Sequence, residues 1–170
     1  MLYIILGIAM VIYAWMHAAF GKSQKFKNEA RNQWVRINAL LQTRSQYILA
    51  MLELAHENDI QAGDLLAEIY ELGGGYCKAD DREIVSEYAE NVTPLLDQLL
   101  ELAERNSSLA ENKDFQELKE NLAELEEEIE IQSSKYNHFI DLYNEHLSNP
   151  KYKLQFIILG APTLKGIHIK

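Results

Sequence analysis

The clearest spacing for chemistry in this chain is Glu53-Leu54-Ala55-His56. On a helix, Glu-x-x-His puts a carboxylate and an imidazole on one face, the unit that di-iron carboxylate bundles use twice together with two further glutamates. Here it occurs once. His138, Asp141 and Glu145 follow at helical spacing and could face it, so Glu53, His56 and His138 are the residues from which a metal site would be built. A two-metal site needs a second Glu-x-x-His, which the chain lacks, and the expectation is that no metal is held. His56 sits near a helix end, where its expected role is to meet free carbonyls.

The remaining candidates are weaker. Gly73-Gly74-Gly75 could cradle a phosphate, but no strand precedes it and no Lys-Ser or Lys-Thr follows, so a turn is expected. Cys77 is the only cysteine, which excludes an intramolecular disulfide framework, and its acidic neighbours blunt it as a nucleophile. There is no His-Glu-x-x-His, no Gly-x-Ser-x-Gly and no Walker-type loop. The expectation is a protein without a catalytic constellation and without a cofactor.

The elements that must position these residues begin with Met1 to Phe20, which carries no Lys, Arg, Asp or Glu. At about 1.5 Å per residue, a helix of this length spans the ~30 Å hydrocarbon layer of a bilayer. A soluble core helix of this length needs a polar stripe, and only His17 supplies one. A cleaved signal peptide needs basic residues before the apolar run and a small-x-small site after it, and neither is present. An uncleaved anchor is expected, with Tyr13, Trp15 and Phe20 near an interface. The bases Lys22, Lys25, Lys27 and Arg31 follow it at once, so the N-terminus is expected outside and the body in the cytoplasm.

Beyond the anchor, Trp34, Ile37, Leu41, Ile48, Met51 and Ala55 alternate by three and four, with Arg44 in the vacant place of a heptad seam. Arg44 is expected to snorkel or to find a partner carboxylate. No Gly or Pro interrupts residues 22 to 62, so one long helix is expected to end near Asn58 to Gly63. Asp64 to Leu72 reads as a shorter helix. Val85, Tyr88, Val92, Leu95, Leu99 and Leu102 form a third seam across Thr93-Pro94, whose unbroken register favours a kink over a new helix. After a break at Asn106-Ser107-Ser108, the fourth seam runs Phe115, Leu118, Leu122, Leu125, Ile129, Gln132, Tyr136, Phe139 and Tyr143 to Pro150. Glu124, Glu126, Glu127, Glu128 and Glu130 lie between its apolar positions and are expected on a solvated face. The fold class is therefore all-α: a transmembrane helix continuing into a long helix of an antiparallel four-helix bundle. The organisation is 1-20 anchor, 21-150 bundle and 151-170 tail.

Up, down, up and down returns the chain to the membrane end. The tail Lys151 to Lys170 holds four bases, Tyr152, Phe156 and Ile157-Ile158-Leu159, a composition suited to an anionic membrane surface; packing on the bundle, or fraying, is the alternative. The net charge of -10 excludes the basic face of a nucleic-acid binder. It also hides blocks: residues 21 to 50 hold six bases against one acid, residues 51 to 150 six against twenty-five, and residues 151 to 170 four against none.

With the helices placed, residues 28 to 150 resemble the LemA family of bacterial membrane-anchored proteins. The last helix carries the resemblance, because Phe115, Leu118, Leu122, Glu126, Ile129, Tyr136-Asn137, Ile140 and Tyr143-Asn144 follow the family's Phe-x-x-Leu to Tyr-Asn to Tyr-Asn pattern without a gap. Trp34, Ile37, Leu41 and Arg44 agree in the first helix, as do Ala55-His56-Glu57, Leu99-Leu100 and Ala103-Glu104. Gln46 to Met51 departs from the family's Asp-Leu-Ile-Pro-Asn-Leu, Asn106-Ser107 replaces Tyr-Pro, and Ser133 stands where the family has Arg. The resemblance implies a bundle on an N-terminal anchor with the N-terminus outside. It implies no reaction. Gene neighbourhoods shared with membrane metalloproteases, and links of relatives to membrane organisation, suggest membrane partners.

Tyr136 and Tyr143 fall on the seam, where each hydroxyl needs a partner, and Asn137 and Asn144 can bond across helices. The functional expectation is a non-enzymatic, membrane-tethered scaffold at the bacterial inner membrane, in contact with the bilayer and with an unknown membrane or cytoplasmic protein. The alternatives are a metal- or ligand-binding bundle on Glu53, His56 and His138, and a regulator of a membrane protease. Heptad seams also serve self-association, which makes a homo-oligomer a further kind of partner.

Overall fold

The computed structural model describes residues 2 to 58, 64, 65, 67, 68 and 82 to 169. The expected glycine turn, Cys77 and most of the short second helix lie outside the described residues, although positions 64, 65, 67 and 68 are helical. The described residues are all-helical, without strands: α1 spans Leu2–Glu57, α2 Arg82–Arg105, α3 Ser107–Ala110, α4 Lys113–Ser148 and α5 Lys153–Ile158.

α1 is one helix of 56 residues. It contains an 18-residue stretch apolar enough to cross a membrane, and none of that stretch is buried in the protein. Tyr3, Val11 and Tyr13 are exposed over 70% or more of their surface, where a soluble core helix would be covered. α1 ends where Asn58 folds back and donates both its backbone N–H and its side-chain Nδ2 to the Leu54 carbonyl. That capping role was expected of His56, which is exposed in the last turn.

Two compact units make up the chain: Met1–Trp34 with Ser134–Gly166, and Val35–Ser133 with Ile167–Lys170. In the second unit, Ile37, Leu41, Ile48, Met51 and Ala55 of α1 are buried as their heptad spacing requires. α2 passes through Pro94 as a single helix. Proline has no N–H to donate, so the Glu90 carbonyl loses its usual i+4 partner, yet the apolar face continues across it. That face buries Val85, Tyr88, Ala89, Val92, Leu95, Leu96, Leu99 and Ala103. The seam therefore closes on Ala103, and Leu102 is 37% exposed.

The break after α2 is chemically specified. The Asn106 side chain accepts from the Ser108 and Leu109 N–H groups and caps α3, and Asn112 accepts from the Phe115 N–H at the start of α4. Ser45 and Tyr88 share a hydroxyl hydrogen bond, and Ser108 Oγ donates to Asn58 Oδ1, so residue numbers rise together along α1 and α2. Lys119 of α4 donates to Glu104 of α2. The Ser86 hydroxyl donates to the His168 carbonyl, and Ile167 and Ile169 are buried.

In the first unit, α4 buries Tyr136, Ile140, Tyr143 and Leu147, so Ile140 takes the seam place expected for Phe139. Tyr143, Leu147 and Phe156 form a core against which Phe26, Tyr152, Ala161 and Leu164 pack. The His146 ring sits in the same place, 6.3 Å from Phe26, 4.9 Å from Tyr152 and 5.6 Å from Phe156 between centroids.

The register of α2 is testable with two leucines three residues apart. Leu99→Ala empties a fully buried site and is expected to lower stability by about 2–5 kcal/mol. Leu102→Ala is expected to change it by less than about 0.5 kcal/mol. Urea unfolding of the purified chain measures both, and equal losses would contradict the closure on Ala103.

Candidate functional site

The most unusual side chain in the second unit is Arg44, which is 1% exposed on a helix face otherwise built of apolar residues. Each of its three nitrogens donates. Nε reaches Glu126 Oε1 at 2.6 Å, Nη1 the Ala89 carbonyl at 3.1 Å and Nη2 Thr93 Oγ1 at 3.0 Å. Of the two expectations for Arg44, the partner carboxylate holds and snorkelling does not. Glu126 leaves the solvated face on which it was expected: its side chain is 30% exposed and turned to Arg44, while Glu124, Glu127, Glu128 and Glu130 are exposed.

Local structure explains why these acceptors are present. The Thr93 hydroxyl donates to the Ala89 carbonyl one turn earlier, leaving its oxygen to accept from Arg44. Thr93, next to the proline inside the single helix α2, is thus part of this network. A guanidinium stays charged at any accessible pH, so its bonds make a fixed polar cross-link of α1, α2 and α4. Nearer the surface, the hydrogen bond and charge of Lys119 hold the Glu104 carboxyl below its ordinary range, in a pair open to solvent.

The second constellation lies in the first unit, and the repeated Tyr-Asn builds it. Tyr143 donates its hydroxyl to the Pro162 carbonyl at 3.1 Å. Asn144 Nδ2 donates to the Leu164 carbonyl at 2.8 Å, and Asn144 Oδ1 accepts from the Leu164 N–H at 3.0 Å, so one amide holds both polar groups of one residue. Gly166 lies so close to Asn137 that a Cβ there would fall 2.7 Å from Asn137 Oδ1. Tyr136 packs its ring on Trp34 at 6.1 Å between centroids. The asparagines were expected to bond across helices; Asn144 holds the extended tail instead. Burial raises the Tyr143 hydroxyl above its ordinary range, which keeps it a donor.

Glu53, His56 and His138 are exposed, the first two belonging to the second unit and the third to the first. Among the described residues, no three His, Cys, Asp or Glu side chains are grouped to hold a metal ion. Lys22, Lys25, Lys27 and Arg31 are exposed along α1. Phe115, Leu122 and Ile129 are buried as the family pattern implies, while Leu118 is half-buried. Ser133, in place of the family's Arg, is buried with its hydroxyl unbonded.

Glu126→Gln leaves the buried guanidinium without its anion and is expected to lower stability by about 1–3 kcal/mol. Arg44→Leu combined with Glu126→Leu is expected to recover most of that loss, since apolar pairs replace buried ion pairs at little cost. A double substitution that adds the losses of the two singles would contradict the network. At Tyr143 the raised native pKa means that its contribution is complete below about pH 10 and is lost as pH climbs through the native value. Amide hydrogen exchange at residues 163 to 166 should therefore speed up in that range relative to Tyr143→Phe, whose clamp does not titrate.

Among curated proteins, none matches the chain. The LemA family model matches residues 33–161, a span that takes in Arg44 with all three of its partners and both Tyr-Asn pairs but stops just before Pro162 and Leu164, and on that match over most of its length the chain belongs to the LemA family.

Proposed function

We propose that this LemA-family chain is a non-enzymatic, membrane-tethered helical module at a bacterial inner membrane, with its N-terminus outside and its acidic second unit offered to a protein partner in the cytoplasm. The observation that carries the reading is the uninterrupted passage of α1 from an uncovered apolar stretch, through exposed Lys22, Lys25, Lys27 and Arg31, into a buried seam. Uncovered apolar surface of that length is stable against lipid, and the basic residues behind it favour the cytoplasmic side. The order of the helices supports an antiparallel four-helix bundle. The charge supports a presented surface. The first unit carries eight basic residues against three acids, and the second eight against twenty-three. Arg44, the one buried cation of the second unit's described residues, is held by its own helices, which supports packing over ligand binding at that point.

Protease added to right-side-out vesicles is expected to leave the body intact, and protease added to inverted vesicles to digest it; the reverse pattern would overturn the orientation. Crosslinking in native membranes is expected to capture one reproducible protein. Its repeated absence would overturn the partner reading, and stoichiometric metal lost in Glu53→Ala or His56→Ala would overturn the scaffold reading.

A further inference from the structure

α5 has two unlike faces. Gln155 and Phe156 are buried, whereas Leu154, Ile157 and Ile158 are 66%, 66% and 71% exposed and Leu159 follows at 46%. Positions 154, 157 and 158 are related by three and four residues and share a face. Four large apolar side chains side by side on six helical residues and their cap form a patch that water does not favour. The segment is also held in place. It leaves α4 through Asn149, whose side chain accepts from the Lys151 N–H, and after Gly160, at φ 61, the chain turns back into the grip of Tyr143 and Asn144 on Pro162 and Leu164.

Its position along α1 follows from the same packing. Phe156 belongs to the core that holds Phe26, and the His146 ring touches both. Phe26 lies six residues past Phe20, about 9 Å along the helix, and Lys22 Nζ stands 5.8 Å from the Phe26 ring centroid. α5 is thus fixed beside the basic turns that directly follow the apolar stretch. Lys151 and Lys153 are exposed at its start, and Lys165 is exposed on the returning segment.

We propose that the exposed face of α5 is a second membrane contact, in which Leu154, Ile157, Ile158 and Leu159 enter the acyl boundary of an anionic bilayer while Lys151 and Lys153 meet its phosphate head groups. This rests on the reading of α1 as a membrane anchor and adds to it a surface-lying element that cannot itself span. The occupant is lipid because α5 is held, through Phe156 and Phe26, beside the turns of α1 that directly follow the apolar stretch, and because the unit that carries it is basic while the other is acidic. With α5 seated, the membrane touches the protein at the anchor and at α5, which restrains rotation of the body about α1.

The test uses the full chain in a Cys77→Ser background, carrying one environment-sensitive fluorophore at Ile158→Cys, at Leu154→Cys or at Tyr13→Cys. Each variant is reconstituted into phosphatidylcholine vesicles containing phosphatidylglycerol. The α5 labels are expected to lose quenching by aqueous iodide and to gain quenching by a shallow lipid-borne nitroxide, and Lys151→Ala with Lys153→Ala is expected to reopen them to iodide. The Tyr13 label is expected to answer only to a deep nitroxide. α5 labels open to iodide beside a deep Tyr13 label would overturn this proposal and leave the anchor standing. α5 labels at shallow depth beside a Tyr13 label in water would support it and overturn the anchor. Labels shielded from iodide and from both nitroxides would assign the face to a second copy of the chain, and shielding that survives the lysine substitutions would remove the anionic surface; either overturns the proposal.

Discussion

A guanidinium cannot shed its charge on entering a protein interior, so every element around Arg44 must answer it. α4 supplies a carboxylate, and α2 supplies a carbonyl and a hydroxyl, all within 3.1 Å of the three nitrogens. Leu41 and Ile48, one turn to either side, make ordinary apolar contacts that tolerate sliding and rotation. The polar cross-link does not. A one-residue slip of α2 moves Thr93 by about 1.5 Å along the axis and 100° around it, which takes its hydroxyl out of reach. Arg44 therefore sets the relative register of three helices that leucine packing alone would leave loosely specified.

A second constraint acts where backbone is not helical. The extended residues 161 to 166 bring peptide N–H and C=O groups against a helix that has no free backbone partners to give them. Side chains must bond them, and the Asn144 amide is suited to the task because it both donates and accepts. Gly166 completes the fit, since any larger residue would displace Asn137. Gln155, whose amide is buried with neither end bonded, marks where the same segment is least well satisfied.

Much of the architecture was legible in one dimension. The heptad spacing of α1 from Ile37 to Ala55 picks out residues that are all buried, and Phe115, Leu122, Ile129 and Tyr136 do the same for α4, because a 3.6-residue period maps directly onto one helix face. Errors of a single place arose at Leu102 and Phe139, where Ala103 and Ile140 are buried instead. An apolar residue directly follows each of those positions, so pattern alone does not choose between the two. Glu126 was read with its neighbours as solvated because a run of glutamates carries no mark of which one meets a buried cation. His146 and the role of Asn144 escaped for a related reason: their partners lie on the returning tail, whose path no periodicity describes.

What the amino-acid order determined by itself is whatever depends on composition and local spacing: the all-helical class, the apolar first twenty residues, the basic block behind them, and the faces that helices must bury. What only the tertiary structure decided is pairing across distance. It selected Glu126 from five candidate glutamates, drew Thr93 in as an acceptor for Arg44, and converted Tyr143-Asn144 from helix packing into a hold on the tail. The division has one physical cause. Burial of apolar area is non-directional and can be read from period alone, whereas hydrogen bonds and ion pairs demand particular atoms within about 3 Å, which becomes definite only once the helices have been brought together.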